Sequence, residues 1–143
     1  MIIWLTGQPN SGKTTLSNHL EDHYEDSCIA VFDGDDVRKG TLNWDYTIEG
    51  RIQNIYNIQR LAATIDKKDK VVIVAAVAPY RYQREKFKRE NNVKEIYLFS
   101  NRSKESINYV DDYEIPQENC LYLNTDKFSV DSSIYRIVKY CSA

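Results

Sequence analysis

The sequence predicts an α/β fold in which a five-stranded parallel sheet is flanked by helices. Apolar runs typical of strands recur along the 143 residues, and a segment with helical periodicity separates each run from the next. Strands that alternate with helices form a parallel sheet. The runs lack a strict two-residue alternation, which indicates that helices cover both faces of the sheet. The predicted strands are residues 2–5, 28–32, 71–77, 95–99 and 121–123.

Three stretches between and after these strands carry clear helix signals. Residues 48–66 have apolar side chains at three- and four-residue steps, which predicts one long amphipathic helix. A charged helix is predicted over residues 80–91. The chain closes with a helix over residues 130–140, capped by Ser129 or Asp131.

The composition excludes several classes of partner. The 19 Lys and Arg residues nearly balance the 21 Asp and Glu residues, so no overall field draws the chain to nucleic acid or to an anionic membrane. The three cysteines have no C-x-x-C spacing, which argues against a disulfide framework and against a zinc site. No leader-like or membrane-spanning apolar window is present. We therefore expect a cytoplasmic protein with a single domain over residues 1–143 and no nucleic-acid or membrane partner.

A glycine-rich loop lies between the first predicted strand and a helical pattern. Residues 7–14 read Gly-Gln-Pro-Asn-Ser-Gly-Lys-Thr and match the pattern G-x-x-x-x-G-K-[ST]. In this context the backbone N–H groups surround nucleotide phosphates, the lysine neutralises the outer ones, and the Thr hydroxyl reaches Mg²⁺. The motif predicts a three-layer P-loop NTPase fold that binds a nucleoside triphosphate; a turn that binds nothing is disfavoured by the context. The predicted nucleotide-binding residues are Gly7, Gln8, Pro9, Asn10, Ser11, Gly12, Lys13, Thr14 and Thr15.

A cluster of carboxylates follows the second predicted strand, in the run Asp-Gly-Asp-Asp-Val-Arg at residues 33–38. This position is the carboxyl edge of the sheet, where ligands bind in open α/β folds. A carboxylate there can orient an acceptor hydroxyl and take its proton, or hold the water shell of Mg²⁺. The alternative is an Asp-Gly turn with a helix N-cap, and the nearby phosphate loop favours the functional interpretation.

Three arginines fall near the same sheet edge. Arg38 faces the cleft if Asp35 starts a helical turn, Arg51 opens the long predicted helix, and Arg81 follows the third predicted strand. The planar guanidinium meets phosphate or sulfate oxygens two at a time, so these residues predict a negatively charged acceptor. Asn54 and Asn57 share a helix face with Arg51, for which a solvated surface is the alternative.

Taken in order, these motifs resemble the adenylylsulfate kinase family. Residues 4–16 are similar to that family's opening, and residues 33–38 to its Asp-Gly-Asp-Asn-hydrophobic-Arg signature. Three later motifs extend the resemblance along most of the chain. They are Arg-x-x-Asn at 51–54, Ala-Pro-Tyr-Arg at 78–81, which resembles the family's Ser-Pro-Tyr-Arg, and Tyr-Glu-x-Pro at 113–116.

The resemblance implies an ATP- and Mg²⁺-dependent kinase. Such enzymes transfer the γ-phosphoryl group of ATP to the 3′-hydroxyl of adenosine 5′-phosphosulfate, giving 3′-phosphoadenosine 5′-phosphosulfate and ADP. By resemblance Asp35 is the base or orienting group, Asp33 and Lys13 complete the catalytic set, and Thr14 and Asp33 lie at the metal. The implied acceptor site contains Asp35, Arg38, Tyr46, Arg51, Asn54, Pro79, Tyr80 and Arg81, with the Tyr46 ring stacked on the acceptor base.

Two departures from the family pattern keep other functions open. Ala78 replaces the family's serine, so only direct transfer from ATP is supported. Residues 101–112 are short where the family has a lid of some twenty-odd residues, which predicts looser nucleotide binding, more ATP hydrolysis or a different acceptor. The alternatives are the same chemistry on another anionic nucleotide-like acceptor, or a nucleotide-binding module with little turnover. A homodimer is also left open.

Overall fold

The computed structural model describes residues 1–143 and contains one five-stranded parallel sheet. The strand order is β2-β3-β1-β4-β5, which places β1 at the centre between β3 and β4. All four pairings are parallel, so the predicted fold class is confirmed. The strands are β1 (Ile2–Thr6), β2 (Cys28–Asp33), β3 (Val71–Ala75), β4 (Val93–Phe99) and β5 (Cys120–Asn124).

Five α-helices and one short 3₁₀ helix connect the strands. The three predicted helices are confirmed to within one residue at each end, and Ser129 is the N-cap of the last one. The helices are α1 (Lys13–His23), α2 (Gly34–Thr41), α3 (Ile48–Ile65), α4 (Arg81–Glu90) and α5 (Val130–Cys141), with the 3₁₀ helix at Asn101–Glu105.

The sheet has an apolar core on each face, which makes the fold three-layered. Alternate residues of β1 face opposite ways: Ile2 and Trp4 pack in one cluster, and Ile3 and Leu5 in the other. The first cluster contains side chains of α2, α3 and α4, and the second contains side chains of α1 and α5. Two-sided burial is the reason that the strand sequences lack polar alternation.

β3 ends two residues before the prediction, at Ala75. Beyond it, the Ala76 carbonyl accepts a hydrogen bond from Trp4 Nε1 at 3.3 Å, and the Val77 carbonyl accepts one from Thr6 Oγ1 at 2.5 Å. These side-chain donors replace the ladder, so the chain leaves the sheet although its sequence is still apolar. Because β1, β2 and β3 are parallel neighbours, their carboxyl ends lie together at one edge of the sheet.

None of the helices has the length and apolar character that a membrane crossing demands.

Candidate active site

The phosphate loop joins β1 to α1 and has a backbone that requires glycine at two positions. Gly7 has φ +149°, and a Cβ there would collide with the Leu98 carbonyl oxygen. Gly12, the N-cap of α1, has φ +99° in the left-handed region. The Thr125 hydroxyl donates to the Ser11 carbonyl at 2.8 Å. The glycine conformations and the Thr125 hydrogen bond therefore fix the shape of the loop.

Lys13 turns its ammonium group back onto this loop. Its Nζ donates to the carbonyl oxygens of Gly7 at 2.9 Å and Gln8 at 2.7 Å. Burial lowers the pKa of Lys13 to about 8, although the nearby carboxylates of Asp33 and Asp35 act in the opposite direction. At neutral pH the group is therefore mostly charged, and its present partners are carbonyls that a phosphate could replace.

The Asp33–Asp35 turn lies directly beside the loop. Asp33 caps α2, because its Oδ1 accepts from the Asp35 backbone N–H at 2.9 Å, and its Oδ2 accepts from Thr14 Oγ1 at 3.5 Å. The turn and N-cap interpretation is thus correct, and the carboxylate still reaches the phosphate loop. Asp35 is exposed at the start of α2.

The pair formed by Thr14 and Asp33 is the strongest candidate for a divalent cation. A hydroxyl and a carboxylate supply hard oxygen donors of the kind that Mg²⁺ accepts, and Mg²⁺ usually completes its shell with waters and substrate phosphates. No group of three or more His, Cys, Asp or Glu side chains is placed to hold a metal. The residues present therefore fit a nucleotide-bound Mg²⁺, not a cage built from protein ligands alone.

Arg38 is buried and organises the turn that follows α2. Its NH1 group donates to the Asn43 carbonyl at 3.0 Å and the Asp45 carbonyl at 3.1 Å. The guanidinium also lies 4.2 Å from the centre of the Tyr46 ring, which is itself exposed. The structure therefore ties the predicted acceptor residues Arg38 and Tyr46 to each other.

Arg51 and Tyr80 converge on one carboxylate that sequence reasoning did not single out. Asp112 accepts from the Tyr80 hydroxyl at 2.9 Å and pairs with Arg51 NH1 at 3.4 Å. Burial and the hydrogen bond to Asp112 raise the pKa of Tyr80. These contacts join helix α3, the turn before α4 and the short segment at residues 101–112.

Asn54 is buried, so the solvated-surface interpretation is wrong for this residue. Its Nδ2 donates to the Gly34 carbonyl at 3.5 Å, and its buried Oδ1 has no hydrogen-bond partner. A buried carbonyl oxygen without a donor is uncommon in folded proteins. Asn54 thus links α3 to the Asp33–Asp35 turn and keeps a free acceptor atom.

Arg81 is used within the protein. Its Nε and NH2 groups donate to the Ile115 carbonyl at 3.3 and 2.9 Å, and its backbone N–H donates to Glu114 Oε1 at 2.8 Å. Pro79, two residues earlier, is buried, and its carbonyl accepts from the Glu114 N–H at 2.8 Å. These two predicted acceptor residues therefore hold the segment that contains residues 113–116.

Arg84 and Glu95 form a buried cluster that sequence reasoning missed. Arg84 lies on the predicted charged helix, and its Nε is 3.3 Å from Glu95 Oε2 with both side chains 3% exposed. Arg84 also donates to the carbonyls of Ala78 and Glu114, and Lys88 contacts Glu95 at 2.9 Å. The available signal was Glu95 itself, a carboxylate at the start of the apolar run predicted as the fourth strand.

The segment at residues 101–112 is a 3₁₀ helix followed by turns, as expected for a shortened cover. The Gln8 side chain of the phosphate loop pairs with both backbone groups of Val110: its Nε2 donates to the carbonyl at 2.7 Å, and its Oε1 accepts from the N–H at 2.9 Å. Arg102 lies at the other end and contacts Ser100 and Thr125. The segment is thus fastened to the loop that it borders.

The parallel sheet, the braced phosphate loop and the acid pair beside it define a P-loop kinase. The sequence profile of a family described as adenylylsulphate kinase matches residues 1–117 of the 143. The chain belongs to the adenylylsulphate kinase family.

Individual relatives agree with this assignment. The adenylyl-sulfate kinase of Prochlorococcus marinus is 36% identical over 107 residues, which cover 71% of this chain and 53% of that protein. The adenylyl-sulfate kinase of Halothermothrix orenii is 28% identical over 96% of this chain and 87% of its own length. The solved APS kinase of Mycobacterium tuberculosis in complex with AMPPNP and APS shares the fold, with a TM-score of 0.84 at 18% identity over 99% of this chain and 97% of that one.

The alignment with the Halothermothrix protein also bears on the length of this chain. It runs over 162 positions, whereas 96% of 143 residues is about 137, so about 25 positions have no counterpart here. This chain is therefore shorter than the Halothermothrix protein over the aligned region.

Proposed function

We propose that this chain transfers the γ-phosphoryl group of ATP to the 3′-hydroxyl of adenosine 5′-phosphosulfate. The products are 3′-phosphoadenosine 5′-phosphosulfate and ADP. One observation carries the proposal: the phosphate loop, with Lys13 folded onto it, lies beside the Asp33–Asp35 turn. Membership of the adenylylsulphate kinase family supports this choice of substrates.

On the donor side, the loop from Gly7 to Thr15 binds the phosphates through its backbone N–H groups. Lys13 exchanges its two carbonyl partners for phosphate oxygens, which returns a favourable partner to a partly buried ammonium group. Thr14 and Asp33 would hold Mg²⁺, which when bound neutralises charge between the phosphate oxygens. Together these groups would hold the ATP phosphates in place and neutralise their charge.

On the acceptor side, Asp35 orients the 3′-hydroxyl and takes its proton as the phosphoryl group is transferred. Because Ala78 has no hydroxyl, it cannot carry the phosphoryl group as an intermediate, and the group passes directly from ATP to the acceptor. Arg51 contacts the acceptor, Tyr46 stacks on its base, and the buried Asn54 holds the Asp33–Asp35 turn through the Gly34 carbonyl. Arg38 acts by holding Tyr46, and Arg81 with Pro79 holds the neighbouring segment.

A different anionic nucleotide is the second candidate acceptor. The observation that favours it is the engagement of Arg38 and Arg81 in contacts within the protein, which leaves Arg51 as the predicted acceptor arginine with an exchangeable partner. A third candidate, a binding module with little turnover, is motivated by the short segment at residues 101–112.

The test is an assay with ATP, Mg²⁺ and a panel of nucleotide acceptors. We expect 3′-phosphoadenosine 5′-phosphosulfate from adenosine 5′-phosphosulfate, with a higher kcat/KM than for any other acceptor. Asp35→Asn should reduce kcat by about a hundredfold or more, as expected for loss of a general base. Asp36→Asn removes an equally exposed carboxylate one residue away and should leave kcat unchanged. A higher kcat/KM for another nucleotide would establish the second candidate, and ATP binding without transfer would establish the third.

We further propose that residues 1–143 act as one cytoplasmic domain on a small-molecule acceptor. The three free cysteines suit a reducing compartment. Self-association is proposed because a related structure is that of a hexameric APS kinase from Thiobacillus denitrificans. Light scattering at several protein concentrations tests this, since a mass that stays at 16.7 kDa would exclude an oligomer.

A further inference from the structure

The Asp112 carboxylate contacts Arg51 and Tyr80, two acceptor-side groups that could otherwise bind an anion. Its Oδ2 accepts from the Tyr80 hydroxyl at 2.9 Å, and its Oδ1 lies 3.4 Å from Arg51 NH1. The three residues come from three separate parts of the chain, so the fold brings them together. The arrangement is that of an anion bound between an arginine and a hydroxyl, with the anion supplied by the protein.

The backbone on either side of Asp112 is fixed. Val110 is held by both groups of the Gln8 amide, and Tyr113 shares a 2.8 Å hydrogen bond with the Thr6 hydroxyl. Glu114 is held through its N–H by the Pro79 carbonyl and through its own carbonyl by a buried arginine. The segment therefore cannot withdraw as a whole, and only the Asp112 side chain can rotate away.

The contact between Asp112 and Arg51 is of a kind that a ligand can replace. The Asp112 side chain is 45% exposed and that of Arg51 is 27% exposed. Arg51 uses a single nitrogen at 3.4 Å, whereas strong arginine–carboxylate pairs use two nitrogens at shorter distances. Such a contact fixes the guanidinium plane weakly, so its main effect is electrostatic: it neutralises the charge that would attract an anion.

We propose that Asp112 is a specificity-determining residue that competes with the acceptor's anionic group for Arg51 and Tyr80. The identity of that group as a phosphosulfate rests on the proposed function, whereas the competition itself concerns any oxyanion. Asp112 must rotate into solvent when an anion binds, and its retained charge then disfavours acceptors with additional negative charge near Arg51. The residue thus lowers the affinity of the site for anions in general.

The test compares Asp112→Asn with Asp111→Asn. Asp111 is an exposed carboxylate one residue earlier, so its variant has the same change in net charge without the change at Arg51. Calorimetric titration with adenosine 5′-phosphosulfate should give a Kd about three- to tenfold lower for Asp112→Asn than for wild type. Kd for Asp111→Asn should stay close to wild type. In steady-state assays KM should fall for Asp112→Asn while kcat stays unchanged.

Two results would overturn the proposal. A Kd for Asp112→Asn that is unchanged or higher than wild type would mean that Asp112 positions Arg51 for the acceptor. Equal gains in Asp111→Asn and Asp112→Asn would mean a general field effect. If wild type phosphorylates adenosine 5′-phosphosulfate and either result is found, the inference about Asp112 fails while the proposed function stands.

A second readout needs no activity. Inorganic sulfate is titrated while the Arg51 side-chain Nε–H resonance is followed by NMR, with the signal assigned by its loss in Arg51→Lys. We expect the Arg51 resonance to shift at a lower sulfate concentration in Asp112→Asn than in wild type or Asp111→Asn. Equal midpoints in all three proteins would overturn the inference even if adenosine 5′-phosphosulfate proves not to be the acceptor.

Discussion

Two arginine–carboxylate pairs lie at the segment that runs from Val110 to Pro116, and they differ mainly in burial. Arg84 and Glu95 lie 3.3 Å apart with both side chains 3% exposed, and Arg51 and Asp112 lie 3.4 Å apart with side chains 27% and 45% exposed. The chemical groups and the distances are thus nearly the same. Only the surroundings distinguish a pair that holds the fold from a pair that can be exchanged for a ligand.

The buried pair is surrounded by further partners. Arg84 also donates to two backbone carbonyls, and Glu95 also contacts Lys88, so that loss of one member leaves charges that water cannot reach. The exposed pair leaves both members solvated when it opens, and such pairs contribute only about 0–1 kcal/mol. An exchangeable site in this protein is therefore expected where an ion pair is accessible.

The largest effect should follow from breaking the buried pair. Glu95→Gln leaves the buried guanidinium of Arg84 without a carboxylate, whereas Lys88 keeps Glu85 at 2.9 Å, and we expect a loss of about 3–5 kcal/mol in the free energy of unfolding. Urea unfolding measures this, with Asp112→Asn as the exposed counterpart at about 1 kcal/mol or less. Similar losses in the two variants would remove the distinction between the pairs.

The next largest effect should follow from removing the exposed arginine. Arg51→Met deletes the charged donor that we propose contacts the acceptor while preserving a long side chain, and we expect KM for the acceptor to rise by about ten- to a hundredfold. The KM for ATP and the free energy of unfolding should change little. Steady-state kinetics with each substrate varied in turn, together with urea unfolding, measure these changes. A lower free energy of unfolding with an unchanged KM for the acceptor would contradict the expectation.

Lys13 differs from both arginines, because it is a partly buried cation whose hydrogen-bond partners are neutral. Its pKa in the free protein is lowered to about 8, and bound phosphates favour the charged form, so nucleotide binding above pH 8 must take up a proton. We expect ADP affinity to fall up to about tenfold per pH unit as pH rises above 8. Calorimetry in buffers of different ionisation enthalpy measures the proton uptake. Lys13→Met should abolish the uptake; its persistence in that variant would assign it to another group.

The smallest effect concerns a strained residue next to the buried pair. Ala78 has φ +48°, in the left-handed region that L-residues rarely adopt, and Arg84 NH1 donates to its carbonyl at 2.6 Å. Ala78→Gly should relieve that strain and raise the free energy of unfolding by up to about 1 kcal/mol. A drop in the midpoint of thermal unfolding would show that the Ala78 methyl group contributes more through packing than its backbone costs.

The fold and the donor side of the site could be predicted because their signals are local. The Gly7 to Thr14 loop is read from eight consecutive residues, and the strands and long helices from short periodic runs. The acceptor side was predicted only as a set of residues. Arg38, Arg51 and Arg81 look alike in sequence, yet their contacts in the structure differ in partner and in exposure.

Local sequence is enough to specify the parallel sheet, the phosphate loop and the acidic turn after β2, because each depends on neighbours within a few residues. The packing of distant segments sets which charges are partnered: Asp112 lies 61 residues from Arg51, and Glu95 on β4 pairs with Arg84 on α4. Partnership at such separations depends on how strands and helices pack, and burial then sets its strength through the local dielectric. Packing therefore made Glu95 a structural anchor and Asp112 a competitor for the acceptor.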